Sequence, residues 1–444
     1  MNNKAESSIN LSKITHPSNY YSSLVPNQKI AIVESFQLES GTTIRSAPVA
    51  YSTWGTLNEN KDNVLIVCHA LTGSSDALDW WRPMFGVGKA LDCSKYFVFC
   101  ANVLGSPYGT ASPLTIDPNT GRPYGPTFPE TTIRDDVGIH KLVLDALGVK
   151  RIVAVIGGSM GGFQTLEWAL CTPVGFVQNI IPITTSAYQG AWGISWGEAQ
   201  RQAVYSDAAF RGGWYNPIPE DQPRRGLGTA RMVAMLTYRS HFSFEARFGR
   251  KPATHTKLSQ NEAIPSKVLL DPGCSNASER KATGVSNTFA VQSYLNYQAE
   301  KFLSRFDANC YIHLTKKMDT HDVTRGRGLQ FGQDSCPQGD SILQEVLRDV
   351  PSNSLVVSVE TDVLFRPEQQ LELARCLPNA QFVALESQDG HDGFLLEFEA
   401  LNEIIQRHLV ERFPRICENT KAVVVNPQEM VGNSVFGEID FDDF

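Results

Sequence analysis

One short stretch of the chain sets a serine between a run of strand formers and a run of helix formers. Residues 153–170 read VAVIGGSMGGFQTLEWAL, with glycine pairs on both sides of Ser159. A side chain at the point of so sharp a strand-to-helix turn stands clear of the sheet, and the flanking glycines keep strand and helix from colliding. The pattern Gly-x-Ser-x-Gly therefore predicts a nucleophile elbow, with the Ser159 hydroxyl at the carboxyl edge of a parallel sheet.

Other glycine-rich turns between a strand and a helix bind phosphate groups. A Walker loop needs a lysine after its last glycine, and the run at 157–162 has none. A dinucleotide fingerprint needs Gly-x-Gly-x-x-Gly, and the same run breaks that spacing. An ordinary glycine-rich connection is the remaining alternative to the elbow.

Nearly continuous apolar runs alternate with helical patterns along the chain. VLIVCHAL at 64–71, YFVFCANVLG at 96–105 and RIVAVIGG at 151–158 are typical of strands that are covered on both faces. RDDVGIHKLVLDALGV has apolar residues at helical spacing and ends at Gly148. This alternation predicts an α/β fold with a mostly parallel sheet.

The alternation of strand and helix patterns stops in the middle of the chain, where Trp, Tyr, Arg and helix formers accumulate. We expect the following organisation: an N-terminal extension at 1–29, the first part of an α/β core at 30–186, a helical lid at 187–310 with a flexible insertion at about 251–287, the second part of the core at 311–415 and an acidic tail at 416–444.

Composition excludes several classes of protein. The formal net charge of −8 argues against nucleic acid or an anionic membrane as partner. The sequence contains no run of about 18 apolar residues, so we expect no membrane-spanning helix. The N-terminus lacks the apolar centre of a secretion signal. Nine cysteines without paired spacing indicate reduced thiols in a cytoplasmic protein and predict no metal site.

A serine hydroxyl needs a base to remove its proton, and the base needs an acid to orient it. In this kind of fold the chain order is serine, acid, histidine. His391 follows the strand AQFVALE on the polar loop SQDGHDGF, where a general base belongs. His408 lies inside the amphipathic final helix, and we expect it at the surface.

Asp362 is the candidate acid, because SLVVSVETD delivers it just past a buried strand. Glu360 and Asp389 are rivals, although Glu360 lies within the strand pattern and is expected to point away. Asp392 is too close in sequence to His391 to orient it easily.

An acyl-transfer site also needs donors for the oxyanion. The backbone N–H of Met160 is the first, and the loop of CHALTGSSDALDWW supplies the second, for which Leu71 is the candidate. An ordinary loop is the alternative at Leu71.

Eight segments in order resemble one enzyme family: CHALTGSSDALDWW, NVLGSPYGTASP, TIRDDVGIHKLVLDALGV, IGGSMGGFQTLEWA, SWGEAQRQAVYSD, ARMVAMLTYRS, FDANCYIHLTKKMDTHD and GHDGFLLE. They are similar to the fungal homoserine O-acetyltransferases, from about residue 30 to 412. The resemblance implies an α/β-hydrolase core with a helical lid, and acetyl transfer from acetyl-CoA to L-homoserine in methionine biosynthesis. It implies acetyl-CoA as co-substrate without another cofactor, and a homodimer.

When the family's catalytic residues are placed on the matching motifs, the resemblance implies Ser159 as the nucleophile, Asp362 as the acid and His391 as the base. It makes Arg239, in TYRS, and Asp392, beside the histidine, the substrate-binding residues. Their chemistry agrees, because a guanidinium suits the carboxylate of homoserine and a carboxylate suits its ammonium group.

The expected reaction is ping-pong, and the acetyl-enzyme must be shielded from water by the lid. The lid tryptophans are candidates for that role: Trp192, Trp196 and Trp214. Three alternatives stay open: a sister O-acyltransferase that uses serine, another alcohol or succinyl-CoA; an esterase; and a non-catalytic binding protein of the same fold.

Overall fold

A mixed sheet forms the centre of the protein in the computed structural model, which describes residues 9–11, 19–253, 289–327 and 339–418. Within those ranges its strands are β1 Ile9–Asn10, β2 Lys29–Gln37, β3 Thr43–Trp54, β4 Val64–Cys68, β5 Phe97–Ala101, β6 Ile152–Gly158, β7 Ile180–Ile183, β8 Leu355–Val359 and β9 Gln381–Leu385. Their spatial order is β1-β2-β3-β5-β4-β6-β7-β8-β9. The pairs from β5 through β4 to β9 are parallel, and β1, β2 and β3 add antiparallel pairs at one side.

Helices cover both faces of the sheet and its carboxyl edge. They are α1 Ala77–Trp80, α2 Ile133–Ala146, α3 Met160–Cys171, α4 Ala191–Tyr205, α5 Arg224–Tyr238, α6 His241–Arg247, α7 Ala290–Leu303, α8 Ala308–Asp319, α9 Gly339–Leu347, α10 Pro367–Cys376, α11 Gly393–Leu396, α12 Phe398–Arg412 and α13 Pro414–Glu418. Short 3₁₀ turns lie at Tyr21–Leu24, Arg82–Met84, Gly125–Thr127, Ala208–Gly213 and Gly390–Asp392.

Strand β4 shows why its sequence is apolar without alternation. Val64 and Ile66 point into a core shared with α2 and α3, whereas Leu65 and Val67 point into a core shared with α12. Both faces of the strand are therefore buried, as successive side chains of a strand point to opposite faces. The predicted α/β fold with a mostly parallel sheet is confirmed.

The helices between β7 and β8 pack over the carboxyl edge of the sheet. A third apolar cluster joins them to the core, and it includes Leu71 and Met160 from the core together with Val204, Leu227 and Phe302 from the helices. The division expected between residues 310 and 311 falls inside helix α8, which belongs to this cluster.

Part of the N-terminal segment packs against the core. Strand β1 pairs with β2, and the Tyr21 side chain is fully buried. Most of the insertion at 251–287, and the tail from residue 419, lie outside the described residues. No helix in the described part of the chain is both long and apolar enough to cross a membrane.

Candidate active site

The serine turn has the geometry that its sequence predicts. Strand β6 ends at Gly158, Ser159 has φ 58° and ψ −125°, and helix α3 begins at Met160. The Ser159 N–H donates to the carbonyl of Ile183 on β7 at 3.0 Å, and its own carbonyl accepts from the Thr185 hydroxyl at 2.9 Å. These bonds hold a backbone conformation that is strained for a non-glycine residue.

Close packing explains the glycine on either side of the turn. A Cβ at Gly161 would collide with the carbonyl oxygen of Cys68 on β4, and one at Gly157 would collide with the carbonyl of Gly161. Strand and helix therefore approach each other as closely as the elbow requires.

His391 and Asp362 meet at the ends of two neighbouring strands. Asp362 lies three residues beyond β8, and one of its oxygens accepts the backbone N–H groups of Leu364 at 2.8 Å and Phe365 at 2.9 Å. Its other oxygen lies 2.8 Å from Nδ1 of His391. The carboxylate is thus fixed by its own turn and orients the imidazole.

The environment of His391 favours its charged form. Burial of the ring disfavours protonation, but attraction and hydrogen bonding by the Asp362 carboxylate outweigh it, so the pKa of His391 lies above its ordinary value. Such an imidazole holds a proton well, which suits a group that must accept one from serine.

Two aromatic rings connect His391 to the elbow. The Phe394 ring occupies the space over Gly158 and lies 5.6 Å from the His391 ring. The Phe365 ring lies 5.5 Å from His391 and 5.5 Å from Phe163 in the first turn of α3. Among the described contacts no hydrogen bond joins the Ser159 hydroxyl to His391; such bonds are often long before substrate binds.

The two predicted oxyanion donors lie close to Ser159. Leu71 lines the same cavity as Ser159, and Met160 is the first residue of α3. Within the described residues, neither the backbone N–H of Leu71 nor that of Met160 donates to an acceptor. Both N–H groups are therefore available to a ligand.

A cavity of about 420 Å³, including its open mouth, lies over Ser159. Helix α4 supplies Trp196 to its wall, whereas Trp192 and Trp214 are more than half exposed, at 54% and 56%. Of the three tryptophans proposed to exclude water, Trp196 is thus the one that lines the cavity. Trp192 packs against Trp196 with ring centroids 5.4 Å apart and donates to the carbonyl of Val363 at 2.9 Å. Trp214 follows a 3₁₀ turn, and its ring lies near Gly125.

Arg239 and Asp392 form a buried ion pair beside this cavity. Helix α5 ends at Tyr238, which lines the cavity, so Arg239 follows the helix in an extended conformation instead of lying on it. Its Nε lies 3.0 Å from Oδ2 of Asp392, and both side chains are almost fully buried. Asp389 accepts a second bond from Arg239 at 2.8 Å. The spacing of SQDGHDGF places both aspartates near the base, but the sequence does not reveal that they share one arginine.

Neither rival of Asp362 for the role of catalytic acid orients His391. Glu360 is exposed, and Asp389 also accepts from the Ser243 hydroxyl at 2.6 Å.

The surface position expected for His408 is wrong: the ring is 4% exposed, and its Nε2 lies 3.0 Å from Oδ1 of Asn179. Helix α12 packs its His408 side against the loop before β7, a contact that helical periodicity alone does not predict.

The cysteines whose side chains the structure describes are free thiols. Cys68 and Cys100 are buried free thiols, and Cys171 is an exposed one. Within the described ranges no group of three or more His, Cys, Asp or Glu side chains is arranged to hold a metal ion.

Comparison with known proteins assigns the chain to a family. The family described as "alpha/beta hydrolase fold" matches residues 63–398. The homoserine O-acetyltransferase of Schizosaccharomyces pombe is 43% identical, over 96% of this chain and 96% of the relative. That of Cryptococcus neoformans is 41% identical, over 96% and 97%. The chain belongs to the homoserine O-acetyltransferase family. It is therefore an acyltransferase.

Solved structures agree with this family at the level of the fold. A homoserine O-acetyltransferase from Bacillus anthracis superposes with a TM-score of 0.69 at 23% identity, covering 86% of this chain and 97% of that one. A variant of esterase E22 superposes with a TM-score of 0.69 at 25% identity, covering 86% and 99%. The fold thus holds both transferases and esterases, and only the site can separate the two activities.

Proposed function

We propose that this acyltransferase moves an acetyl group from acetyl-CoA to the hydroxyl of L-homoserine through an acetyl ester on Ser159. The observation that carries the proposal is the buried pair of Arg239 and Asp392 beside the Ser159 cavity. A fixed cation and a fixed anion side by side complement the carboxylate and the ammonium of a zwitterionic amino acid. The likeness to curated homoserine O-acetyltransferases along nearly the whole chain supports the same substrates.

In the first half-reaction the Ser159 oxygen attacks the thioester carbonyl while His391 takes the hydroxyl proton. The oxyanion is held by the N–H groups of Leu71 and Met160. The C–S bond then breaks, the imidazolium returns its proton to the CoA thiolate, and acetyl-serine remains. Asp362 stabilises the imidazolium formed on the way.

In the second half-reaction homoserine binds with its carboxylate on Arg239 and its ammonium on Asp392. His391 removes the proton of the substrate hydroxyl, whose oxygen attacks the acetyl carbonyl in the same oxyanion hole. The ester to Ser159 breaks and the serine recovers its proton from the imidazolium. Transfer competes with hydrolysis because the acceptor is held in place and the wall around Trp196 limits water.

Ester hydrolysis is the second candidate function, favoured by the fold shared with esterase E22. The test offers acetyl-CoA and succinyl-CoA, each with homoserine or serine, and identifies the products by mass spectrometry. We expect O-acetylhomoserine as the main product, formed faster than free acetate. Free acetate at the same rate with and without homoserine would establish an esterase, and O-acetylserine or a succinyl ester would establish a sister transferase.

Four further statements stay predictions: a place in methionine biosynthesis, a homodimer, a cytoplasmic location and the need for no cofactor beyond the co-substrate.

A further inference from the structure

A buried histidine outside the catalytic set lies directly behind the oxyanion loop. His69 follows β4 and is fully buried. The Val103 N–H donates to its Nε2 at 3.2 Å, and its Nδ1 lies 2.8 Å from the carbonyl oxygen of Ala70. Because Nε2 accepts a bond, the ring proton must be on Nδ1, which donates to Ala70.

The Ala70 carbonyl belongs to the same peptide unit as the N–H of Leu71. A trans peptide is planar, so its C=O and N–H point in opposite directions, and fixing one fixes the other. The Gly73 N–H donates to the same carbonyl at 3.0 Å. The two donors therefore set the direction of the Leu71 N–H, and they polarise the peptide so that this N–H is a better donor.

We infer that His69 is a positioning residue for acyl transfer, which aims the Leu71 N–H at the oxyanion by holding the Ala70 carbonyl. The inference rests on the proposed function, since it assigns a device to the same site. His69 touches neither substrate nor a reacting atom; it acts through the peptide between Ala70 and Leu71.

The surroundings of His69 keep the ring in the required state. Burial of the ring, partly opposed by the bond to Ala70, lowers the pKa of His69 to about 4. The neutral ring carries one proton, and the Val103 amide decides which nitrogen holds it. The next part of the loop is held separately, because Nη1 of Arg305 donates to the Thr72 carbonyl at 3.0 Å.

Two substitutions separate the donor at Nδ1 from the acceptor at Nε2. The amide nitrogen of His69→Asn reaches the position of Nδ1 and can donate to Ala70. The amide of His69→Gln reaches the position of Nε2 and can bond only to Val103. The readout is the burst of p-nitrophenolate from p-nitrophenyl acetate, which reports acylation of Ser159 whatever the natural donor is.

We expect His69→Gln to slow acylation about tenfold or more, short of the ~10²–10³-fold loss caused by deleting an oxyanion donor. His69→Asn should stay within about threefold of the unaltered enzyme, because it keeps the bond to the peptide that carries the donor. KM for p-nitrophenyl acetate should change little in either variant, since the ground-state carbonyl gains little from the oxyanion hole.

His408 provides the matched control. It is a second buried histidine, 4% exposed, whose Nε2 lies 3.0 Å from Oδ1 of Asn179, the residue before β7. Burial lowers the pKa of His408 to about 4, so it too is neutral. His408→Asn and His408→Gln should leave acylation per folded molecule unchanged.

The inference is overturned if His69→Gln acylates as fast as His69→Asn, or if the His408 variants lose as much acylation as His69→Gln. An unaltered enzyme without a burst refutes both this inference and the proposed function. A burst followed by no transfer to homoserine refutes only the proposed acceptor.

If neither His69 variant folds, the tautomer of His69 is measured in the unaltered enzyme. Ring ¹⁵N shifts, with His69 assigned through its contact to the Val103 amide, report the tautomer. Protonated Nδ1 supports the inference, and protonated Nε2 overturns it.

Discussion

Ser159 combines a strained backbone with a set of bonds that hold the strain. A φ of 58° in a non-glycine residue costs of order 1–3 kcal/mol, and bonds from β7 and Thr185 offset it. The sequence predicts this residue well because all the parts of an elbow are neighbours in the chain. His391 and Asp362 are predictable for a related reason: each follows a recognisable buried strand, and parallel strands end at the same edge.

Asp362→Asn tests the electrostatic role of the acid. The Asp362 charge raises the pKa of His391, so its removal should lower that pKa. His391 must be neutral to act as base, so activity falls as pH drops through its pKa. The acidic limb of the kcat/KM profile should therefore move to lower pH, and kcat should fall on the order of 10³–10⁴-fold. An acidic limb that stays in place would mean that it reports another group.

Arg239→Lys tests recognition of the acceptor. A lysine keeps the charge but loses the planar fork that binds a carboxylate with two bonds. We expect KM for homoserine to rise about 10–100-fold, as for the loss of a charged hydrogen bond, while the acylation burst is unchanged. Arg224→Lys is the control, because Arg224 pairs with Glu300 on the inserted helices, away from the described lining of the Ser159 cavity. If Arg239→Lys instead slowed the acylation burst by about 10–100-fold, Arg239 would serve the donor half-reaction.

Helix α8 is tied to helix α2 by a buried ion pair. Nζ of Lys317 lies 2.7 and 2.8 Å from the two oxygens of Asp136 and 2.6 Å from the carbonyl of Leu104, and both charged side chains are fully buried. The domain boundary expected between residues 310 and 311 lies inside α8, a helix that this pair fixes to the core. The pair joins residues 181 positions apart, and neither periodicity nor composition records such a contact.

Lys317→Met tests the strength of this connection. It leaves the Asp136 carboxylate buried without its counter-ion, so the free energy of unfolding should fall by about 3–5 kcal/mol. Lys141→Met removes an exposed i,i+4 pair with Asp145 from the same helix α2 and should cost only about 0.3–0.5 kcal/mol. Urea unfolding measures both changes. Equal losses in the two variants would contradict a special role for the buried pair.

The strands and helices of the core follow from the sequence more fully than the site does. Apolar runs located β4, β5, β6 and β8 because each is buried on both faces. The burial of His408 and the sharing of Arg239 between Asp389 and Asp392 arise where distant elements pack together. No local pattern encodes these contacts, so only the folded structure reveals them.

The protein as a whole should lose stability in mild acid. Burial lowers the pKa of His69, His321 and His408 to about 4 and that of His140 to about 3. The unfolded chain binds these protons near pH 6.5. Between about pH 6.5 and pH 4 the unfolded state therefore holds more protons, and the free energy of unfolding falls as pH falls. Asp136, whose pKa is raised by burial to about 6, opposes this trend with one proton below about pH 6. His391, with a raised pKa, opposes it only above about pH 6.5.

Urea unfolding at a series of pH values measures the effect. Each uncompensated proton contributes about 1.4 kcal/mol per pH unit, so the total slope should exceed that value below about pH 6. His408→Gln keeps a donor for Asn179 but cannot take up a proton. The slope of the free energy of unfolding against pH should therefore fall by up to about 1.4 kcal/mol per pH unit, the contribution of one proton. A free energy of unfolding that stays constant from pH 7 to pH 5 would contradict the buried neutral state of these rings.

The most direct test of the whole account is the mass of the enzyme after brief mixing with acetyl-CoA in the absence of homoserine. We predict a gain of one acetyl group on the peptide that contains Ser159, and its transfer to homoserine when the amino acid is added. Ser159→Ala should show no gain. An acetyl group on another residue, or undiminished transfer by Ser159→Ala, would contradict the account.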